Sequence, residues 1–326
     1  MFAPTTFATA LLMTVLSTIC WGSFANTFKV TKNYRFELYY WDYAAGIFLI
    51  SLVLAFTMGS TGGELSFLTN LRSAAPMSLV ESAVAGFIFN IANVLLIAGI
   101  EIVGLAVAFP ISIGIALVEG VVLSYLIQPK GSSLFLGIGV AMALLAVILI
   151  GKAYGALQTG NKSTSRKGVI VCVISGLLMG AWAPFVTKSM TATLPLTPYT
   201  VAVLFTFGAV ICCFFFNIYL MKNPLVGAPV NFAGYRSASP SYHALGLLGG
   251  AVWGIGTVFN LVAASLVGVP ISYAIGQASP MIAAVWGVFV WHEFRGANSR
   301  AKMYLVGMFL CYLLALALIA HAYQVA

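Results

Sequence analysis

Long apolar stretches, separated by short polar connections, follow one another along the whole chain, and ten of them are long enough to cross a bilayer as helices. A helix needs ~20 residues to cross a hydrocarbon core of ~30 Å. The apolarity is continuous and does not alternate with period two, so it predicts helices and not the strands of a barrel. We therefore predict an all-α integral membrane protein of ten transmembrane helices. The predicted spans are residues 6–28, 42–60, 78–100, 103–127, 133–152, 168–190, 198–221, 243–266, 269–291 and 303–323.

The same pattern occurs twice. Phe89–Ile115 returns 164 residues later as Trp253–Ser279, with matched spacing across two helices and the turn between them, where Gly104 corresponds to Gly268. Each copy has five spans, and because five is odd the second copy must enter the membrane upside down relative to the first. We therefore predict two inverted five-helix repeats. The predicted domains are a first repeat at 1–152, a cytoplasmic linker at 153–167 and a second, inverted repeat at 168–326.

Composition and charge agree with a lipid environment. The chain is 61% hydrophobic and 7% charged, whereas a soluble domain carries about 25% charged residues. Of its 15 Lys and Arg residues, twelve lie in the odd-numbered connections and three in the even-numbered ones. By the positive-inside rule, this bias predicts cytoplasmic odd loops and both termini outside, in a plasma or inner membrane. The location of the charges also explains the net charge of +8 without a nucleic-acid partner.

Four segments carry a resemblance to known transporters. Cys20–Lys29 and Tyr39–Gly46 look like the opening of ureide permeases and sugar porters. Leu196–Pro229 is similar to the seventh span and following loop of ureide permeases, and Val269–Arg300 to a ninth span and its basic loop. The chain thus resembles the branch of the drug/metabolite transporter superfamily that contains ureide permeases, glucose/ribose porters and rhamnose–proton symporters, and is closest to the ureide permeases. The resemblance implies two five-helix halves, a central substrate and uptake commonly driven by protons.

Glu119 is the acidic residue that lies well inside a predicted span. A carboxylate at membrane depth is costly unless it is protonated, paired or hydrated. One interpretation is a proton-coupling acid, and the other is a structural Glu that reaches headgroup water or pairs with a donor. Its repeat counterpart is Ala283, so the fold itself does not require an acid there. We interpret Asp42, between Trp41 and Tyr43, as a helix N-cap in an aromatic belt.

Aromatic and amide side chains share helix faces at the middle of several predicted spans. This combination suits a flat or ring-shaped polar solute, because the ring stacks while the amides donate and accept hydrogen bonds. The alternative is that the polar groups join helices through hydrogen bonds of ~0.6 kcal/mol each. Pro110 and Pro280 remove backbone hydrogen bonds in two repeat-related spans, which permits a kink or a flexible point. The candidate substrate-binding residues are Trp21, Asn90, Asn93, Trp182, Trp253, Thr257, Asn260, Tyr273 and Gln277.

These observations predict a secondary active transporter, proton-coupled, that imports a small neutral polar metabolite by alternating access. A ureide or an oxo-nucleobase is favoured, and the alternatives are a monosaccharide–proton symporter or a metabolite or drug exporter of the same superfamily. A passive channel needs a continuous polar pore, and a membrane enzyme needs clustered His, Asp or Glu. We therefore expect no enzyme activity, no cofactor and no metal. The expected partners are the small-molecule substrate, the lipid bilayer and H⁺ as driving ion, in a monomer or homodimer.

Overall fold

A computed structural model describes residues 1–32, 34–61, 66–157, 165–224 and 227–325. These residues form helices and connections, with no strand among them. Within the same ranges, ten helices are long and apolar enough to cross a membrane, which confirms the predicted fold class. Part of the predicted linker, residues 158–164, lies outside the described residues. The ten helices, labelled α1 to α10, are Phe7–Val30, Phe36–Phe56, Pro76–Val103, Ala106–Ile127, Ser133–Gly155, Arg166–Thr191, Pro198–Lys222, Pro240–Val267, Val269–Val290 and Ser299–Gln324.

Helix α2 is the span whose position differs most from the prediction. It begins at Phe36 and ends at Phe56, whereas the predicted span ran from 42 to 60. Its first turns contain the polar aromatics Tyr39 and Tyr40, which are almost fully buried in the protein and which hydropathy alone undervalues. The interpretation of Asp42 as an N-cap is therefore wrong, because Asp42 lies in the second turn of the helix and the N-cap is Arg35.

The repeat in the sequence has a counterpart in the backbone. Helices α3 and α8 are both 28 residues long, and their starts, Pro76 and Pro240, are 164 residues apart. Each ends at a glycine with positive φ, Gly104 at φ 81° and ψ 160° and Gly268 at φ 88° and ψ 152°. This conformation is readily adopted only by glycine, so both copies make the same turn with the same residue.

The chain divides into two compact units, and each unit combines helices from both sequence repeats. Unit 1 comprises Met1–Asn90 and Phe185–Leu266, and unit 2 comprises Ile91–Pro184 and Val267–Ala326. Helices α2, α7 and α8 belong to unit 1, and α4, α5, α9 and α10 belong to unit 2. Helices α4 and α9, which occupy corresponding positions of the two repeats, thus belong to the same unit.

Within unit 1, glycines allow helix backbones to approach closely. A Cβ on Gly86 of α3 would collide with the backbone of Phe205 in α7. A Cβ on Gly250 of α8 would likewise collide with the carbonyl of Tyr43 in α2. Small residues are typical of such contacts in lipid, where helices associate by close packing and not by exclusion from water.

Within unit 2, Pro110 of α4 and Pro280 of α9 have different surroundings. Helix α4 continues through Pro110, whose ring lies against Gly151 of α5, a position where a side chain would collide with it. Helix α9, which also has Pro270 in its first turn, is interrupted by a turn at Gln277 and Ala278, two residues before Pro280. The two repeat-related helices therefore differ in continuity.

Candidate functional site

The predicted aromatic residues of unit 1 form a stack. The rings of Trp21 and Trp253 are 6.0 Å apart between centroids, at an interplanar angle of 19°. Phe89 stacks on Trp253 at 4.7 Å, and Phe205 lies 6.3 Å from the same indole at 18°. Sequence reasoning named the two tryptophans but missed both phenylalanines, which look like ordinary apolar residues of their helices. The result is an aromatic stack (Trp21, Phe89, Phe205, Trp253) built from α1, α3, α7 and α8.

Thr257 fixes the orientation of one indole in this stack. Trp21 Nε1 donates a hydrogen bond to Thr257 Oγ1 at 3.1 Å. The Thr257 hydroxyl in turn donates to the carbonyl oxygen of Trp253, one helical turn earlier, also at 3.1 Å. The predicted residues Trp21, Trp253 and Thr257 are therefore in mutual contact, and the indole N–H of Trp21 is already satisfied.

The predicted amides of unit 1 are buried. Asn90 is 1% exposed, and its Oδ1 accepts a hydrogen bond from Tyr40 Oη at 2.7 Å. Its Nδ2 is buried and has no hydrogen-bond partner among the residues that the structure describes. Asn260 is 3% exposed on α8. Asn90 thus joins α3 to α2 through Oδ1 and keeps its Nδ2 donor unused. The helix-joining interpretation therefore explains the oxygen of the amide and not its nitrogen.

In unit 2, Tyr273 and Trp182 pack edge to face, with centroids 5.2 Å apart at 73°. Tyr273 is fully buried, and its hydroxyl lies 3.1 Å from the carbonyl oxygen of Ala116 and 3.4 Å from that of Met179. Its ring lies against Gly120, where a Cβ would be 2.5 Å from Cε1. Tyr273 therefore joins α9 to α4 and α6, and its hydroxyl is occupied by backbone carbonyls.

The interruption of α9 places Gln277 at a helix end. The segment Val269–Gly276 has Gln277 as its C-cap, and the next segment begins at Ser279. The backbone N–H of Gln277 still donates to the Tyr273 carbonyl at 3.0 Å, and its side chain is largely buried at 8% exposure. Broken helices at mid-depth supply carbonyls and N–H groups outside the regular ladder, and transporters use them for ligands. Asn93 of α3, also in unit 2, is buried.

Glu119 is half-buried on α4, and its environment is unusual. Its Oε2 is buried and has no hydrogen-bond partner. The carboxyl lies against Gly180 of α6, where a Cβ would be 2.8 Å from Oε2. Beside it runs an open groove of about 650 Å³, lined by apolar residues of α4 and by Leu144. Among the described residues, this carboxyl oxygen thus has no hydrogen-bond donor, and the groove beside it is lined mainly by apolar side chains.

Comparisons with known proteins extend along the whole chain. Ureide permease 1 of Arabidopsis thaliana is 20% identical over 348 residues, covering 86% of this chain and 87% of that protein. Ureide permease 4 of the same plant is 21% identical over 400 residues, covering 98% of each. A solved crystal structure superposes with a TM-score of 0.63 at 16% identity over 96% of this chain and 99% of that one, a likeness of fold alone.

Ten apolar helices, together with a family model that spans nearly the whole chain, indicate a multi-pass membrane transporter. The family model described as sugar transport protein matches residues 12–321. The chain belongs to this family. The resemblance to ureide permease-like transporters inferred from four sequence segments is confirmed.

Proposed function

We propose that this chain is a proton-coupled secondary transporter that imports a small neutral polar solute, with a ureide or an oxo-nucleobase as the first choice, by alternating access. The observation that carries the proposal is the aromatic stack, in which Thr257 orients Trp21 beside Trp253. Flat rings of this kind stack on planar solutes. The unused Nδ2 donor of Asn90 supports a solute rich in carbonyl oxygens. None of the candidate residues is basic, so the set favours a neutral solute.

A monosaccharide is the second candidate. The family to which the chain belongs is described as sugar transport protein, whereas the two plant relatives are named as ureide permeases. A sugar ring also stacks on indoles, but it presents hydroxyls that need several donors and acceptors at once. An exporter of the same superfamily is the third possibility, and it differs in direction and not in architecture.

Glu119 is the proposed coupling acid. A carboxyl group without a donor in an apolar surround is held more easily in its protonated form, and a transporter needs a group that gains and loses a proton during the cycle. The proposal includes a plasma or inner membrane, cytoplasmic odd loops and both termini outside. It includes no enzyme activity, cofactor or nucleic-acid partner, and a monomer or homodimer in the bilayer.

The test is uptake by proteoliposomes that contain the purified protein, with radiolabelled allantoin, uracil and rhamnose as probes at external pH 6 and 8. We expect saturable uptake of allantoin or uracil, faster at pH 6, and a rise of at least tenfold in the apparent KM with Trp253→Ala. Trp41→Ala is the matched control, because Trp41 packs on Phe214 and Phe232 and not on the stack. Uptake of rhamnose alone would favour the second candidate, and an unchanged KM in Trp253→Ala would contradict the proposed site.

A further inference from the structure

A second carboxyl group inside the helices has a complete set of partners. Asp42 of α2 accepts a hydrogen bond from Tyr235 Oη to Oδ1 at 2.6 Å. Its Oδ2 is 2.7 Å from Nδ1 of His243 in α8. Because a carboxylate oxygen can only accept, Nδ1 carries the proton of this hydrogen bond. The side chain of Asp42 is 9% exposed and that of His243 is 25% exposed, so the imidazole edge can reach water. All three residues belong to unit 1.

The other titratable groups that face Asp42 are tyrosines. Burial, followed by the charge of Asp42, raises the pKa of Tyr34 to about 12. Burial and then the hydrogen bond to Asp42 raise the pKa of Tyr235 as well. The phenol of Tyr39 also interacts with the Asp42 charge. The ion-pair partner of Asp42 in this cluster is His243. His243 is thus the group in this cluster whose type exchanges protons near neutral pH.

Two electrostatic effects act on the imidazole in opposite directions. His243 lies in the first turn of α8, where the helix dipole disfavours a positive charge. The buried carboxylate 2.7 Å away favours it. A proton on Nε2 makes the cluster neutral, and its loss leaves one negative charge in a largely buried place. Burying an unpaired charge is costly, so the protonation state affects how closely the cluster is held together.

The cluster joins three elements. Asp42 is on α2, His243 is on α8, and Tyr235 is on the short helix Phe232–Arg236 in the connection between α7 and α8. Tyr235 also packs edge-on against the His243 ring at 4.5 Å between centroids. The short helix therefore covers both proton-carrying groups. The charge bias of the loops predicts that this end of the helices is cytoplasmic.

We propose that Asp42 and His243 form a proton-binding site, closed by Tyr235, at the end of α2 and α8. The imidazole takes up the proton while the carboxylate stays ionised, and the short helix Phe232–Arg236 is held most firmly over the neutral, protonated pair. The consequence for transport rests on the proposed function: the pair releases its proton according to the pH at this end of α2 and α8. This release is separate from the proton exchange proposed for Glu119.

The direct test does not depend on transport. Histidine ¹⁵N NMR spectra of the purified wild type should show a ring signal that changes between pH 5 and 8 and is absent in His243→Gln. In Asp42→Asn the Nδ1 signal of His243 should shift at every pH, because the carboxylate that accepts its proton is gone. His321→Gln is the matched control, since His321 is exposed at the end of α10 against Phe135. A His243 signal that does not change with pH, or an Nδ1 signal that is the same in Asp42→Asn as in the wild type, would overturn the proposal.

A second measurement addresses the transport consequence. With external pH fixed, uptake by wild-type proteoliposomes should differ at least threefold between internal pH 6 and 8, and His243→Gln should flatten this difference below 1.5-fold, as expected when the titrating group is removed. A wild type that transports none of the probes would contradict the proposed function while the NMR result still decides the proton site. A His243→Gln variant that keeps the full internal pH dependence would overturn the coupling of this site to transport.

Discussion

Asp42 and Glu119 are both carboxyl groups inside apolar helices, and their surroundings are opposite. Asp42 in unit 1 is held by a phenol at 2.6 Å and an imidazole at 2.7 Å, one on each oxygen. Glu119 in unit 2 has a buried oxygen without a donor, an apolar groove beside it and a glycine against it. The first environment supplies a hydrogen-bond partner to each oxygen of the carboxyl group, and the second leaves one oxygen without a partner among the described residues.

The difference separates two ways of using a proton. In the proposed proton site, the Asp42 carboxylate keeps its charge and the neighbouring imidazole changes state, so loss of the carboxylate should remove packing as well as proton binding. In the proposed coupling role of Glu119, the carboxyl itself changes state, so a neutral isostere should preserve packing and remove the chemistry. Measurements of stability and of coupled uptake should therefore separate the two residues.

The largest expected effect is that of Glu119→Gln on uptake. Gln reproduces the shape of the protonated acid but cannot release a proton, so pH-gradient-driven uptake should fall at least a hundredfold while counterflow exchange stays within twofold. Both are measured in the same proteoliposomes with the probe found in the uptake screen. Gradient-driven uptake that survives intact would show that Glu119 is not the coupling acid.

The next effect is that of Asp42→Ala on stability. The change removes the acceptor of two partly buried hydrogen bonds, one from Tyr235 and one from His243, and should lower the free energy of unfolding by about 2–4 kcal/mol. Glu119→Gln should change it by less than about 0.5 kcal/mol, because that oxygen has no partner to lose. Unfolding in mixed detergent micelles measures both. Equal losses in the two variants would contradict the contrast between the environments.

The sequence singled out one of these carboxyl groups as a candidate and misjudged the position of the other, for a physical reason. Glu119 stands out because an acidic side chain within an apolar run costs free energy whichever way it points. Asp42 and His243 are 201 residues apart and each lies near the end of an apolar run, where charged and aromatic residues are ordinary. Their pairing depends on α2 and α8 packing through glycines, which no local pattern specifies. The six-residue error at the start of α2 concealed it further.

The same limit applies to the candidate binding residues. The ten helices follow from local apolarity, and the turns at Gly104 and Gly268 follow from the repeat. Trp21 and Trp253 were predicted because indoles are conspicuous in apolar helices, but Phe89 and Phe205 became part of the stack only through contacts between distant helices. The grouping of helices into two units also depends on such contacts, because each unit takes helices from both repeats.

A smaller effect is expected when the space beside Glu119 is filled. In Gly180→Ala the new Cβ would lie 2.8 Å from both Cβ and Oε2 of Glu119, so the whole Glu119 side chain must shift. Gradient-driven uptake should fall about threefold, which corresponds to about 0.7 kcal/mol. The apparent KM for the solute should stay unchanged within twofold. Gly137→Ala is the matched control, because nothing lies within 4 Å of a Cβ there. Equal uptake in the two variants would show that the position of the carboxyl does not matter.

The smallest effect concerns the single hydroxyl of Tyr235. Tyr235→Phe keeps the ring against His243 and removes one donor to Asp42, so the free energy of unfolding should fall by about 1 kcal/mol. In this variant His243 is the remaining hydrogen-bond donor to the carboxylate. The double variant Tyr235→Phe/His243→Gln should therefore lose more unfolding free energy than the sum of the two single variants. A double-mutant cycle by detergent unfolding measures the excess. Simple additivity would show that the two donors act independently, and Asp42 would then resemble Glu119 more closely than the geometry indicates.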